Sequence, residues 1–244
     1  SVALAVGSQP GLALSRAPLS LEEFPVWLDP ALMPELHRLY LARLEGGLTD
    51  RHAARRVAEA LAKAPWIRSV DSVSPSTAPG IALAITFRKP AARVAWGGST
   101  AWVDEDGVLL PKAFYRLTAV SGPTIHGVRR PPPKAAGVRW EDPGLQAGLE
   151  VLRRLRSEEG IRASRASDLA AIDVGNLGER KVDQPELVCM TRSRTALRFS
   201  VSGKPGRPTL DEQIGRLRQV VSVDPQLALP KRYVDLRFDR PVGA

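Results

Sequence analysis

Ile81-Ala82-Leu83-Ala84-Ile85-Thr86-Phe87 is the stretch on which the fold turns. Ile81, Leu83, Ile85 and Phe87 share one parity, so an extended chain here buries one face, and the small Ala82, Ala84 and Thr86 lie on the other. Upstream, Ala53, Val57, Leu61 and Ala64 fall on one stripe, which predicts a helix over His52 to Lys63 that Thr49 or Asp50 caps and Pro65 stops. Downstream, Phe87-Arg88-Lys89-Pro90-Ala91 closes the strand and leads to Trp96. The local order is helix, strand, turn, strand. A helix over Ala31 to Leu44, ended by Gly46-Gly47, precedes it.

Outward from this core the chain reads as α+β. Trp96-Gly97-Gly98 is a natural seam, because the apolar alternation stops there and glycine permits a sharp change of direction. Asp104-Glu105-Asp106-Gly107, between Ala101–Val103 and Val108–Leu110, is a hairpin signal. Asp142-Pro143 opens a helix with a cap and a first-position proline, and Leu145, Leu149, Leu152 and Leu155 form its apolar side. Strands are expected at Leu169–Val174, Glu186–Thr191 and Thr195–Val201. Thr209 with Glu212 is a capping-box pattern ahead of a helix carrying Leu210, Ile214, Leu217 and Val221. A last strand over Tyr233 to Phe238 puts Val234, Leu236 and Phe238 on one side and Tyr233, Asp235 and Arg237 on the other. The domain reading is a lead-in over residues 1–25, an α/β domain over 26–96 and a larger mixed β-sheet domain with packed helices over 97–244.

Composition restricts the function classes. The 244 residues are 43% hydrophobic, enough to fill one or two cores. A net charge of +9 favours acidic partners. The Lys and Arg are scattered, however, and the 5% aromatic residues are not interleaved with them as base-stacking platforms would be, so specific nucleic-acid binding is not expected. Ser1 to Leu14 is too short to cross the ~30 Å of bilayer hydrocarbon. The start at Ser1 without Met suggests a piece of a longer chain.

No catalytic or metal-binding constellation passes a spacing test. The run Asp104 to Asp106 fails as a calcium loop, because Gly107 is in the fourth place and Tyr115 in the twelfth. Gly203-Lys204 is followed by Pro205 where a phosphate loop needs Ser or Thr. His37, His52 and His126 have no ligand-spaced partners, and the lone Cys189 sits in the apolar run Leu187–Met190 as a buried thiol. The expectation is a non-enzymatic chain with no cofactor and no metal.

Four tags then occur in a fixed order: Pro65-Trp66-Ile67; Phe87-Arg88-Lys89-Pro90-Ala91-Ala92-Arg93-Val94-Ala95-Trp96; Val103-Asp104-Glu105-Asp106-Gly107; and Tyr233-Val234-Asp235-Leu236-Arg237-Phe238-Asp239. In these the chain resembles the FtsQ/DivIB cell-division proteins. The resemblance implies a POTRA-like α/β domain followed by a β domain, held outside the cytoplasmic membrane by one N-terminal helix absent from this chain. In bacterial terms that is a single-pass inner-membrane protein with this portion periplasmic. It implies a scaffold whose last strand receives small coiled-coil divisome partners of the FtsB and FtsL type. Carried onto this sequence, the partner-binding residues are Tyr233, Val234, Asp235, Leu236, Arg237, Phe238, Asp239 and Arg240. Pro241 departs from the family pattern and ends the ladder, and no first POTRA strand is legible before the helices.

The final strand admits two placements from sequence: at a sheet edge, open to an added strand, or inside a sheet with Asp235 and Arg237 solvated. Two further classes are carried beside the scaffold: a POTRA-type peptide-binding module of an outer-membrane assembly or secretion system, and a basic nucleic-acid-binding protein.

Overall fold

The computed structural model describes residues 2–6, 19–21, 25–41, 52–75, 81–116, 120–178, 181, 183–201, 207–227 and 233–239. The expected helix cap at Thr49 or Asp50, the stop at Gly46-Gly47, the turn at Gly203-Lys204, Arg240 and Pro241 lie outside them. The chain is mixed α and β and divides into two units.

The first unit holds strands β1 (Val2–Val6) and β2 (Leu19–Leu21), helices α1 (Leu32–Leu41) and α2 (Ala53–Ala62), and strands β3 (Ile67–Pro75) and β4 (Ile81–Phe87). They form a four-stranded sheet in the order β2-β1-β4-β3, with every neighbouring pair antiparallel. The strand read from parity, Ile81–Phe87, is therefore central. The helices bury Leu32, Leu36, Val57 and Leu61. Trp66 is fully buried beside Phe87, ring centroids 6.1 Å apart, and meets the edge of Phe114 at 6.4 Å. Residues 110–120 also belong to this unit. Tyr115 bridges to Leu28, stacks on Trp27 at 6.0 Å and donates its hydroxyl to the Arg88 carbonyl at 3.0 Å.

The second unit contains β5 (Ala92–Trp96), β6 (Ser99–Val103), β7 (Thr124–His126), α3 (Pro143–Ser157), α4 (Glu159–Arg162), β8 (Leu169–Asp173), β9 (Leu187–Thr191), β10 (Ala196–Phe199), α5 (Leu210–Val223) and β11 (Tyr233–Asp235). Its seven-stranded mixed sheet has the order β11-β10-β9-β8-β7-β5-β6. Parallel neighbours need a long crossover. α3 carries the chain from β7 to parallel β8, and α5 carries it from β10 to parallel β11. The two helices contribute Leu145, Leu149, Leu152, Ile214, Leu217 and Val221 to a core shared with Ile125, Ile172, Cys189 and Leu197.

Local signals account for both helix starts. Asp142 caps α3 by accepting from the Leu145 N–H at 2.9 Å, and its other oxygen accepts from the backbone N–H of Arg129 and Arg130 at 2.9 and 2.8 Å. One buried carboxylate thus fixes both the helix and the segment that crosses it. Thr209 and Glu212 form the reciprocal capping box expected at α5.

Three sequence expectations change. The seam at Trp96-Gly97-Gly98 is the turn of the β5–β6 hairpin, where Gly97 and Gly98 take φ of +52° and +77° as a primed turn requires. The boundary expected at residue 96 therefore falls inside one hairpin, and the second unit begins at Pro90. The lead-in over 1–25 contains two strands, and β1 pairs Leu4 with Leu83 of β4. A strand whose partner is far along the chain leaves little local trace. The last strand covers Tyr233–Asp235 only.

Candidate functional site

The sequence-derived candidate is the chain around β11, and β11 is at an edge of the seven-stranded sheet. Its register against β10 pairs Ala196 with Tyr233, Leu197 with Val234 and Arg198 with Asp235. The Leu236 N–H donates to the Arg198 carbonyl at 3.1 Å. Backbone polar groups alternate sides along a strand, so Leu236 and Val234 address β10, and the N–H and C=O of Tyr233 and Asp235 point away from it. Among the described residues no strand lies on that outer side. Such a row of donors and acceptors is a template for another strand.

Side chains seal the two faces of β11 differently. Val234 and Leu236 are buried in the core. The polar side, which the internal-strand placement would leave solvated, is covered: Asp235 is only 5% exposed. Arg237 grips it with a fork, Nε and Nη2 at 2.8 and 2.7 Å, and Arg198 lies 3.7 Å from the same carboxylate. A carboxylate can be buried when guanidinium groups replace its water. The Arg198 guanidinium also covers the Tyr233 ring at 3.7 Å, a stacked cation–π contact.

Beyond Asp235 the chain turns, and this explains a second correction. Parity puts Phe238 on the same side as Val234 and Leu236, but the strand has ended before it and the residue is 51% exposed. Asp239 is exposed and accepts from Arg216 of α5 at 2.5 Å, while the other Nη of Arg216 donates to the Leu236 carbonyl at 2.8 Å. The candidate residues therefore fall into three groups: outward backbone at Tyr233 and Asp235, a buried support of Val234, Leu236 and Arg237, and an exposed end at Phe238 and Asp239.

Two of the other sheet edges, β3 and β6, differ. β3 carries two register shifts, between Ile67 and Ser69 and between Val70 and Ser72, and bulges of this kind blunt an edge. Asp71 on it accepts from the hydroxyls of Ser69 and Thr86 at 2.6 and 2.8 Å. β6 is tied to β5 by the glycine turn and continues through Val103 into a bridge with Leu109.

The residues screened for chemistry occupy structural places. Asp104 accepts from the N–H of Asp106 and Val108 at 3.0 and 2.8 Å, which closes the turn at Gly107. Cys189 is fully buried, and burial pushes its thiol far up from the ordinary range. His37 and His52 belong to the first unit and His126 to the second. Among the described residues no group of three His, Cys, Asp or Glu side chains is placed to hold a metal.

Sequence reading missed Gln213 and Arg216, the α5 residues that reach the β10–β11 end of the sheet. One signal was present: Gln213 is a polar residue on the apolar stripe of Leu210, Ile214, Leu217 and Val221, and it is fully buried. Neither the known family models nor the curated proteins give a match to this chain, so the functional reading rests on the residues and the geometry of the edge.

Proposed function

We propose that this chain is a non-enzymatic extracytoplasmic scaffold of the FtsQ/DivIB kind, which binds other cell-division proteins in part by accepting a strand beside β11. The observation that carries the reading is the outward-facing backbone of Tyr233 and Asp235 at the end of the sheet. The four ordered tags of the sequence support it, and the first unit is compatible with it: two helices lie between the β1–β2 pair and the β3–β4 pair, and β1 pairs with β4. No helix among the described residues is long and apolar enough to cross a membrane. The proposed anchor is a single N-terminal membrane helix, and the proposed partners are divisome proteins of the FtsB and FtsL type.

The test uses the full chain and the purified extracytoplasmic segment of an FtsB-type protein from the same cell. Tyr233→Pro removes an outward N–H, and Tyr233→Ala keeps it while losing the ring. Losing one intermolecular hydrogen bond of about 1 kcal/mol, together with the proline clash against an incoming strand, should weaken binding about tenfold or more. The alanine variant should retain most of the affinity. Equal affinity for the proline and alanine variants would overturn strand addition at β11.

A further inference from the structure

We propose that Arg216, acting with Gln213 one turn before it, is the positioning residue that fixes where the acceptor strand ends and hence how long a partner strand can pair there. In a regular parallel ladder the Leu236 carbonyl would accept next from the Ser200 N–H, because Val234 and Leu236 alternate with Arg198 in that pattern. That bond is not made. The Ser200 N–H donates instead to Gln213 Oε1 at 2.9 Å, and the Ser200 carbonyl accepts from Gln213 Nε2 at 2.6 Å. The orphaned Leu236 carbonyl accepts from Arg216 Nη1 at 2.8 Å. Two side chains at i and i+3, on one face of α5, have taken the groups through which β10 and β11 would continue to pair.

The consequence reaches the outer edge. Arg216 is largely buried, so its bond to Leu236 is shielded from water, and its second Nη holds Asp239 at 2.5 Å. The chain is turned away immediately after Leu236, and among the described residues the acceptor row before that turn is Tyr233 and Asp235. A partner strand pairs over this short stretch and takes its remaining contact from side chains past the turn, of which Phe238 is exposed. The inference rests on the strand-acceptor reading for its biological meaning, but the positioning role stands on the ladder geometry.

Residue-resolved hydrogen exchange on the full chain tests it. In Arg216→Met, which keeps the aliphatic stem, the amides of Leu236, Arg237 and Phe238 should exchange at least tenfold faster, while those of Leu197 and Cys189 stay within threefold of the parent. Arg216→Lys, which can still reach one acceptor, should restore most of the Leu236 protection, and it replaces the methionine variant if that fails to fold. Unchanged exchange at 236–238, or an equal rise across the whole second unit, would overturn the positioning role. The FtsB-type segment provides the second arm: the methionine variant should bind it at least tenfold more weakly. If the parent chain does not bind the segment, the scaffold reading fails while the exchange result still decides the role of Arg216.

Discussion

Removing the carboxylate of Asp235 should loosen the acceptor strand far more than removing the arginine that holds it. The two side chains are 7% and 9% exposed, and the Arg237 backbone N–H, Nε and Nη2 all donate to Asp235. Asp235→Ala removes the carboxylate that both Arg237 and Arg198 approach, and Arg237 is itself largely buried. Breaking a buried pair from one side costs about 3–5 kcal/mol, and this geometry places Asp235→Ala at the upper end. Arg237→Ala leaves the carboxylate with Arg198 at 3.7 Å and should cost about 2–3 kcal/mol, the worth of charge-assisted hydrogen bonds. Replacing both groups by apolar residues of similar volume, Asp235→Leu with Arg237→Met, should cost clearly less than the sum of the single changes. The assay is native-state hydrogen exchange at Leu197, Phe199, Val234 and Leu236, which gives the opening free energy of this end of the sheet. Single changes that each cost under about 1 kcal/mol and add simply would mean a water-screened surface pair, and the support assigned to Asp235 would be refuted.

Three other outcomes follow from the second unit. Asp142→Ala orphans the N–H groups of Arg129, Arg130 and Leu145, the last of them in a buried site, and should cost about 2–3 kcal/mol in urea unfolding. Burial pushes the Asp142 carboxyl up, but the N–H groups of Arg130, Leu145, Arg129 and Gly144 more than offset this and hold it below the ordinary range. Its contribution is therefore present above about pH 4 and lost as the pH falls through the lower folded value, a loss that Asp142→Asn should not show. Gly127→Ala should cost about 3 kcal/mol or more in the same assay, since φ is +82° and the new Cβ would lie 2.4 Å from the Gly175 backbone nitrogen. The Cys189 thiol, buried and held protonated, should resist iodoacetamide in the folded chain and react once urea unfolds it.

What the sequence disclosed follows a physical division. Elements whose signal is local were legible: the parity of Ile81–Phe87, the Asp142-Pro143 start of α3 and the Thr209–Glu212 box of α5 each need only neighbouring residues. Features that depend on a distant partner were not. β1 is recognised only through its pairing with β4, and the Gly97-Gly98 turn looks like a boundary until β5 and β6 are seen side by side. The candidate edge shows the same split. Alternation put Val234 and Leu236 on one side, and both are buried in the core, but parity alone could not reveal that Arg198 and Arg237 close over Asp235, or that α5 ends the ladder before Phe238. A buried charge looks like a solvated one in sequence, because its counter-charge arrives through the fold.

Amide exchange of the full chain, alone and saturated with the extracytoplasmic segment of an FtsB-type protein, tests the central claim most directly. The account predicts that the Tyr233 and Asp235 amides become protected on binding, while those of Ser99 to Val103 at the other end of the sheet do not change. Tight binding that leaves Tyr233 and Asp235 exchanging as before would contradict it.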